Sequence, residues 1–400
     1  MERRIEDFFS LMCKAVDKLK SYRIKEDILI IHHDDADGLC SAAIIKKALE
    51  REGFTTKTIC LEKLFPEVLE KLHQEENRIY VYTDIGSAHA TKISEENKSK
   101  NLTIILDHHD FTLSTDPMVY NLNPEVFGVS GEKEASGATV AYLFAKNLSQ
   151  QNTDLAYLAV IGSAEIPGPL MGLNRDVLKD ALEHRLVEVL KSKSGEDYRV
   201  LRLGKPQSYK RFSTMLSVLG SVGYYTGGPE EGVKACLEGL DEKTENLIVK
   251  LEEKRRKANQ RMLEKLRREG LNQLNQIQWF HAYDNFKDMG TKVIGSFCSY
   301  LSFQQKIVSP EKYVVGIMNM KSTIPGFGFL SQEYVKVSAR APKKLGLLVE
   351  QGKKPPLSKV LPEACKQFGG FGDGHSVAAS GVFLKGKEND FVKALDSLAE

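Results

Sequence analysis

The chain lacks most of the features that would assign it a compartment or a scaffold at once. No stretch approaches 18 consecutive apolar residues, so no segment is expected to span a membrane. The first residues, Met-Glu-Arg-Arg-Ile-Glu-Asp, lack the apolar core of a signal peptide. The six cysteines (Cys13, Cys40, Cys60, Cys236, Cys298 and Cys365) are scattered, with no C-x-x-C pair. That spacing argues against a zinc module and a disulfide frame, and it is expected of reduced thiols in the cytoplasm. Net charge is only +2, which argues against a polycation that coats nucleic acid by bulk charge but leaves room for a local basic groove. There is no internal repeat and no low-complexity tract.

What is present fits a globular protein of more than one domain. The 400 residues suffice for two or three domains, and 42% apolar with 28% charged residues is an ordinary balance. Ile5, Phe8, Phe9, Met12, Val16 and Leu19 recur at helical spacing, predicting an amphipathic helix over residues 2–21. Residues 27–32 read as a buried strand and 39–51 as a helix that Gly53 closes. Strands recur near 55–60, 79–84 and 102–107 with helices between them, so βαβ units and a parallel sheet are expected. From about 135 to 240 the pattern is mostly helical, with Ser130 or Ser136 as its start. Residues 241–269 are packed with charge above a narrow stripe of Leu247, Leu251, Ala258, Met262 and Leu266, and Gly270 ends the run. This predicts an exposed helix of about 30 residues, roughly 45 Å long. Beyond it, strands near 278–283, 312–319 and 334–339 and helices near 291–301 and 357–367 predict a smaller α/β domain.

Chemistry concentrates at the ends of the apolar runs. His33, Asp35 and Asp37 alternate, so on an extended strand end they would face one side, with Gly38 turning the chain into the next helix. Asp84 ends the run from Ile79, and Asp107-His108-His109 ends the run from Leu102. Four of the nine histidines, His32, His33, His108 and His109, lie at two of these run ends, which chance explains poorly. Ligands bind at the carboxyl edge of open α/β sheets, and converging carboxylates and imidazoles there make a metal site. Mixed Asp and His ligands without thiolate suit Mn²⁺ or Mg²⁺ better than structural zinc. Two such ions would activate water and steady both oxygens of a phosphoryl displacement. Far along the chain, Phe368-Gly-Gly-Phe-Gly-Asp-Gly-His375 forms a glycine-rich run, and Val335-Lys-Val-Ser-Ala-Arg340 reads as a strand ending in a cation.

His33-x-Asp35-x-Asp37-Gly38, Asp84 and Asp107-His108-His109 resemble the first three motifs of the DHH phosphoesterase superfamily. Residues 369–375 with Ala378, Ala379 and Gly381 resemble the glycine-rich histidine motif of its DHHA1 domain, although Phe371 and Asp373 interleave. The strand ending in Arg340 resembles the family's substrate-contacting strand. Composition and the long helix look most like the archaeal single-strand exonucleases related to RecJ and Cdc45. One departure stands out. The fourth motif places a metal-binding Asp four residues after a Gly, yet after Gly162 that place holds Ile166, with Glu165 one place early. Either Glu165 substitutes or the second metal is held more weakly.

The resemblance implies an α/β fold with a parallel-sheet DHH catalytic domain over residues 1–240, a connecting helix over 241–277, a DHHA1 substrate-binding domain over 278–400 and a cleft between the two domains. It implies that His33, Asp35, Asp37, Asp84, His108 and Glu165 hold metal, with two Mn²⁺ ions expected and Mg²⁺ as the alternative. Asp107 would orient a ligand, and His109, Arg340, Gly372, Gly374 and His375 would bind phosphate. The expected activity is single-strand exonucleolysis of DNA or RNA releasing nucleoside monophosphates, with a lean to 3′→5′ polarity, in DNA repair or replication. The expected partners are single-stranded nucleic acid, a replication or repair protein and further copies of the chain, with no membrane. The alternatives are a phosphodiesterase for oligoribonucleotides or cyclic dinucleotides, and a non-catalytic Cdc45-like scaffold.

Overall fold

Five apolar runs of four or five residues build the first sheet: β1 (Ile28–His32), β2 (Thr56–Cys60), β3 (Ile79–Thr83), β4 (Leu102–Leu106) and β5 (Val119–Leu122). The computed structural model, which describes residues 2–22, 26–192 and 195–400, pairs them in parallel in the order β2-β1-β3-β4-β5. Every residue of β3 and β4 is buried, so both read as unbroken apolar runs and not as alternating ones. The connections reverse direction beside β1, which creates a crevice at the carboxyl ends of β1 and β3.

Helices α1 (Glu2–Ser21), α2 (Ala36–Arg51), α3 (Pro66–Leu72) and α4 (Ala90–Asn97) accompany these strands. Then follow α5 (Gly137–Leu148), α6 (Ala156–Gly162), α7 (Gly172–Glu183), α8 (Tyr209–Ser217) and α9 (Gly228–Glu238). α2 is buried along most of its length because α5, α6 and α9 all pack against it. It begins three residues earlier than its apolar pattern predicts. Asp35 caps it, its Oδ1 accepting the Gly38 N–H at 3.0 Å. Asp37 and Gly38 therefore lie in a helical first turn and not on a strand end. Ser136, not Ser130, starts α5, its hydroxyl accepting the Thr139 N–H at 3.1 Å.

The expectation of a mostly helical stretch to residue 240 misses an antiparallel sheet of β6 (Val187–Ser192), β7 (Gly195–Val200) and β8 (Gln207–Ser208). Val187 pairs with Val200 on the buried side, while the next pair, Glu188 with Arg199, faces solvent as an ion pair of 2.8 Å. A period of two inside a charged stretch is easily lost among helical patterns.

α10 (Glu242–Glu269) follows, and Gly270, at φ +76°, ends it in the left-handed region. The chain divides within this helix. One unit comprises Met1–Gly220 and Gly227–Ile248, the other Ser221–Thr226 and Val249–Glu400. The second unit holds β9 (Asn272–Gln273), β10 (Ile277–His281), β11 (Tyr313–Asn319), the two-residue β12 (Thr323–Ile324) and β13 (Gly328–Phe329), β14 (Tyr334–Arg340), β15 (Phe371–His375) and β16 (Ala378–Leu384). Six of them form a mixed sheet ordered β15-β16-β14-β11-β10-β9. Its helices are α11 (Lys292–Leu301), α12 (Lys343–Glu350), α13 (Leu357–Gln367) and α14 (Glu388–Leu398). The core gathers Ile317, Val337, Leu361, Phe383 and Phe391, the last two rings stacked at 4.0 Å. Each such side chain, fully buried, contributes roughly 1.5–3 kcal/mol.

The glycine-rich run is an edge strand, β15, packed on α13 and β16. A Cβ on Gly370 would lie 1.8 Å from the Val382 carbonyl oxygen, so close backbone approach demands glycine there. Among the described residues no disulfide forms and no helix is long and apolar enough to cross a membrane.

Candidate metal centre

β1, β3 and β4 end side by side, and the residues just past them meet. Asp84 is at the centre. It follows β3 at φ +59°, a conformation that costs an Asp about 1 kcal/mol or more. It is 1% exposed, and among the described residues neither carboxylate oxygen has a hydrogen-bond partner. Burial, and then the carboxylates of Asp37, Asp35 and Asp107, push its pKa well above the ordinary value. A buried anion with no donor at either oxygen is costly unless a cation joins it.

Two sets of ligand atoms share that carboxylate: His33 and Asp35 on one side, His108 and His109 on the other, each set lying within 4.8 Å. His33 Nδ1 lies 2.8 Å from Asp35 Oδ2 and 3.7 Å from Asp84 Oδ2. His108 Nε2 lies 3.3 Å from Asp84 Oδ1 and 3.5 Å from Asp37 Oδ2. On its other side His108 Nδ1 lies 2.7 Å from the Gly131 carbonyl oxygen. A carbonyl only accepts, so Nδ1 carries the proton and the Nε2 lone pair faces the carboxylates, the tautomer a metal ligand needs. Burial also lowers the His108 pKa, favouring that neutral form.

Asp107 and His109 act as a pair. Asp107 Oδ1 lies 2.8 Å from His109 Nδ1 and accepts the His108 N–H, while Oδ2 accepts the Ser87 N–H at 2.8 Å. Burial alone would raise Asp107, but His109, His108 and the Ser87 N–H hold it well below its usual value. His109, its side chain 47% exposed, is the imidazole of this cluster most open to solvent.

Several contributors are not evident from the sequence motifs. Asp37 receives the backbone N–H groups of Gly137 and Ala138, both at 2.8 Å, at the N-terminus of α5. A Cβ on Gly137 would come within 2.5 Å of Asp84 Oδ1, and one on Gly162 within 2.5 Å of Asp37 Oδ1. The Ser-Gly-Ala at a helix start was the available signal, but its distance from the motifs in sequence hid its role. Asp34 is also buried at the site, its Oδ1 3.2 Å from His33 Nε2. His32 instead points its Nδ1 at the His33 carbonyl, and burial lowers its pKa to about 4.

Glu165 stands apart from these groups. It ends a 3₁₀ turn (Ser163–Glu165), is exposed, belongs to neither ligand set, and accepts the Ser217 hydroxyl at 2.8 Å. Ile166 is buried.

In the second unit, Arg340, Ala378 and His375 lie in register across β14, β16 and β15. Arg340 is held by neutral groups: the Ser299 and Ser338 hydroxyls at 2.8 and 2.9 Å and the Ala339 carbonyl at 2.8 Å. Burial lowers its pKa, and among the described residues no carboxylate pairs with it. His375 is exposed at the strand end, Gly372 lies opposite Gly381, and Gly374, at φ +141°, would press a Cβ within 2.5 Å of Ala379.

The donor set, four to five carboxylates with imidazoles and one doubly unsatisfied carboxylate, fits hard divalent cations. Comparison with known proteins agrees with this geometry. Residues 27–163 match the DHH family, N-terminal domain. The uncharacterized protein MJ0831 of Methanocaldococcus jannaschii is 28% identical, over 96% of this chain and 97% of that protein. RecJ of Thermus thermophilus in complex with Mn²⁺ superimposes with a TM-score of 0.64 at 17% identity, over 97% of this chain. This chain covers 54% of that RecJ chain, about half its length. The same RecJ with Mg²⁺ gives 0.58 at 16% identity, over 97% and 52% of the two chains. CDC45 of Entamoeba histolytica gives 0.52 at 10% identity, over 98% of each chain. Residues 27–163 thus carry a DHH-type N-terminal domain, and the chain shares the fold of the RecJ and CDC45 structures.

Proposed function

We propose that the chain is a divalent-metal-dependent phosphodiesterase that trims single-stranded nucleic acid from an end, releasing nucleoside monophosphates in DNA repair or replication. The observation that carries this is Asp84, buried, without a hydrogen-bond donor at either oxygen, and shared by two ligand sets. His33, Asp35, Asp37, Asp84 and His108 would hold the ions, Mn²⁺ or Mg²⁺. When bound, such ions supply an activated water and neutralise charge on the phosphate.

The chain's own residues do the rest. α5 holds Asp37 through two N–H groups, and Gly131 fixes the His108 tautomer. Asp107 keeps a proton on His109 Nδ1, leaving that exposed imidazole to bind a phosphate oxygen. In the second unit Arg340, held by neutral groups, and His375 would bind phosphate. Superposition on RecJ structures supports the fold on which such a site is built, and the MJ0831 match extends the likeness along the whole chain.

The test is digestion of end-labelled single- and double-stranded DNA and RNA. A ladder of mononucleotide steps is expected from single strands, lost with chelator and restored by Mn²⁺ better than by Ca²⁺. Full activity in excess chelator would remove the mechanism. Cleavage confined to strands of a few nucleotides would make the substrate short oligonucleotides instead.

A further inference from the structure

Tyr283, two residues past the end of β10 in the second unit, is a bulky side chain at φ +47°. That left-handed conformation is a genuine outlier for such a residue, and such strain gathers at functional sites. The conformation is fixed at both ends of the residue. The Tyr283 N–H donates to His281 Nδ1 at 2.9 Å, and the Tyr283 carbonyl accepts the Asn319 N–H at 3.3 Å. The result is a flat aromatic pair, with rings 4.1 Å apart and 4° from parallel. His281 is mostly buried beneath, while Tyr283 is 58% exposed. Core packing does not explain an ordered ring held in solvent at a backbone cost.

Cations lie along the same edge. Lys254, Ala258, Arg261 and Lys265 recur on one face of α10, and contacts show that this face follows the segment after β10. Lys254 Nζ donates to the Asp288 carbonyl, Asn285 Nδ2 to the Ala258 carbonyl, and Arg261 reaches the Asn285 carbonyl. Lys265 Nζ lies 5.6 Å from the Tyr283 ring centre. From Lys254 to Lys265 the row runs about 16 Å. Three carboxylates nearby are engaged: Asp284 accepts from Asn319 at 2.8 Å, Glu388 lies 3.9 Å from His281 Nε2, and Asp288, beside Lys254, pairs with Lys321.

We propose that Tyr283, backed by His281, is a stacking platform for a nucleobase of a single strand, with Lys265, Arg261 and Lys254 holding the adjoining phosphates. An aromatic face beside a row of cations is the arrangement by which single strands are gripped without sequence preference. The proposal rests on the nucleic-acid reading above and adds a subsite away from the row of Arg340 and His375, which lies at the opposite end of the sheet.

The test uses the full chain in excess chelator and a fluorescent single-stranded dodecamer, read by anisotropy. Tyr283→Phe should bind within about twofold of the unaltered chain. Tyr283→Gly should weaken binding about 10-fold or more, the loss expected for one stacked base. Because glycine accepts positive φ without cost, the same variant should not lower Tm, whereas a merely structural tyrosine would. A dodecamer carrying 5-iodouracil should cross-link on irradiation to Tyr283. Equal affinity of Tyr283→Gly, or cross-links that map only elsewhere, would overturn the platform while leaving the nuclease reading intact. An unaltered chain that neither binds nor cuts any single strand would overturn both.

Discussion

The strand ends of the two units collect opposite charge, carboxylates in the first and a buried guanidinium in the second. In the first, Asp34, Asp35, Asp37, Asp84 and Asp107 are all nearly inaccessible to solvent, and among the described residues neither Asp84 oxygen has a hydrogen-bond partner. In the second, the Arg340 guanidinium is largely buried among hydroxyls and carbonyls, with burial pushing its pKa down and, among the described residues, no carboxylate to offset it. Ordinary folding would pair such groups, since an isolated buried charge costs several kcal/mol. One end is short of a cation and the other short of an anion. Under the proposed function a divalent cation would satisfy the first and a phosphate the second.

The contrast breaks first at Asp84. Asp84→Ala should lower cleavage on the order of 10³-fold or more, while leaving the metal-free protein at least as stable, because a strained and uncompensated carboxylate is removed. Cleavage assays and melting in chelator check the two halves. Arg340→Met should act differently, raising KM for a single strand about 10- to 100-fold with kcat little changed, the worth of a charge-assisted hydrogen bond. If kcat falls instead and KM stays, Arg340 serves the chemical step and the division of labour is wrong. Gly137→Ala should weaken Mn²⁺ binding about 10-fold or more, because its Cβ would intrude on Asp84; calorimetric titration reads this without cleavage.

A buried imidazole away from the site supplies a control. His73 lies between Asn97 and Tyr82, and burial lowers its pKa to about 4. The unfolded chain takes up a proton near pH 6.5 and the folded one only near 4, so stability from this group is complete above 6.5 and falls as pH drops to about 4. The loss is on the order of 3 kcal/mol at most. Denaturation midpoints should show that slope, and His73→Gln should lack it. The smallest effect is expected at Glu165, where Glu165→Ala should change Mn²⁺ affinity by no more than about twofold. A larger loss in a metal titration would bring that exposed residue into the site.

The parallel sheet and its reactive ends were legible in the sequence because each buried strand is an unbroken apolar run that stops at Asp or His. The order of β2, β1 and β3 was not, since pairing across the reversal leaves no mark on local pattern. The residues of the first motif do meet, but not by the geometry their alternation suggested. Alternation suggested a strand, but the Asp35 cap starts α2 at Ala36, so Asp37 reaches the cluster from a helical turn. Gly137 and Gly162 were illegible as site residues, because what they contribute is the absence of a Cβ against side chains about 50 to 125 positions away. The hairpin of β6 and β7 was hidden by its charges.

The most direct test of the central claim is Mn²⁺ binding to the full chain, followed by electron paramagnetic resonance, in the unaltered protein and in Asp84→Asn. That substitution keeps the shape of the side chain and removes its charge. The unaltered chain should bind two ions tightly, with a spin-coupled signal, and Asp84→Asn should lose the coupling and the tight binding together. Undiminished, coupled binding in Asp84→Asn would contradict the claim that this one carboxylate joins both halves of the site.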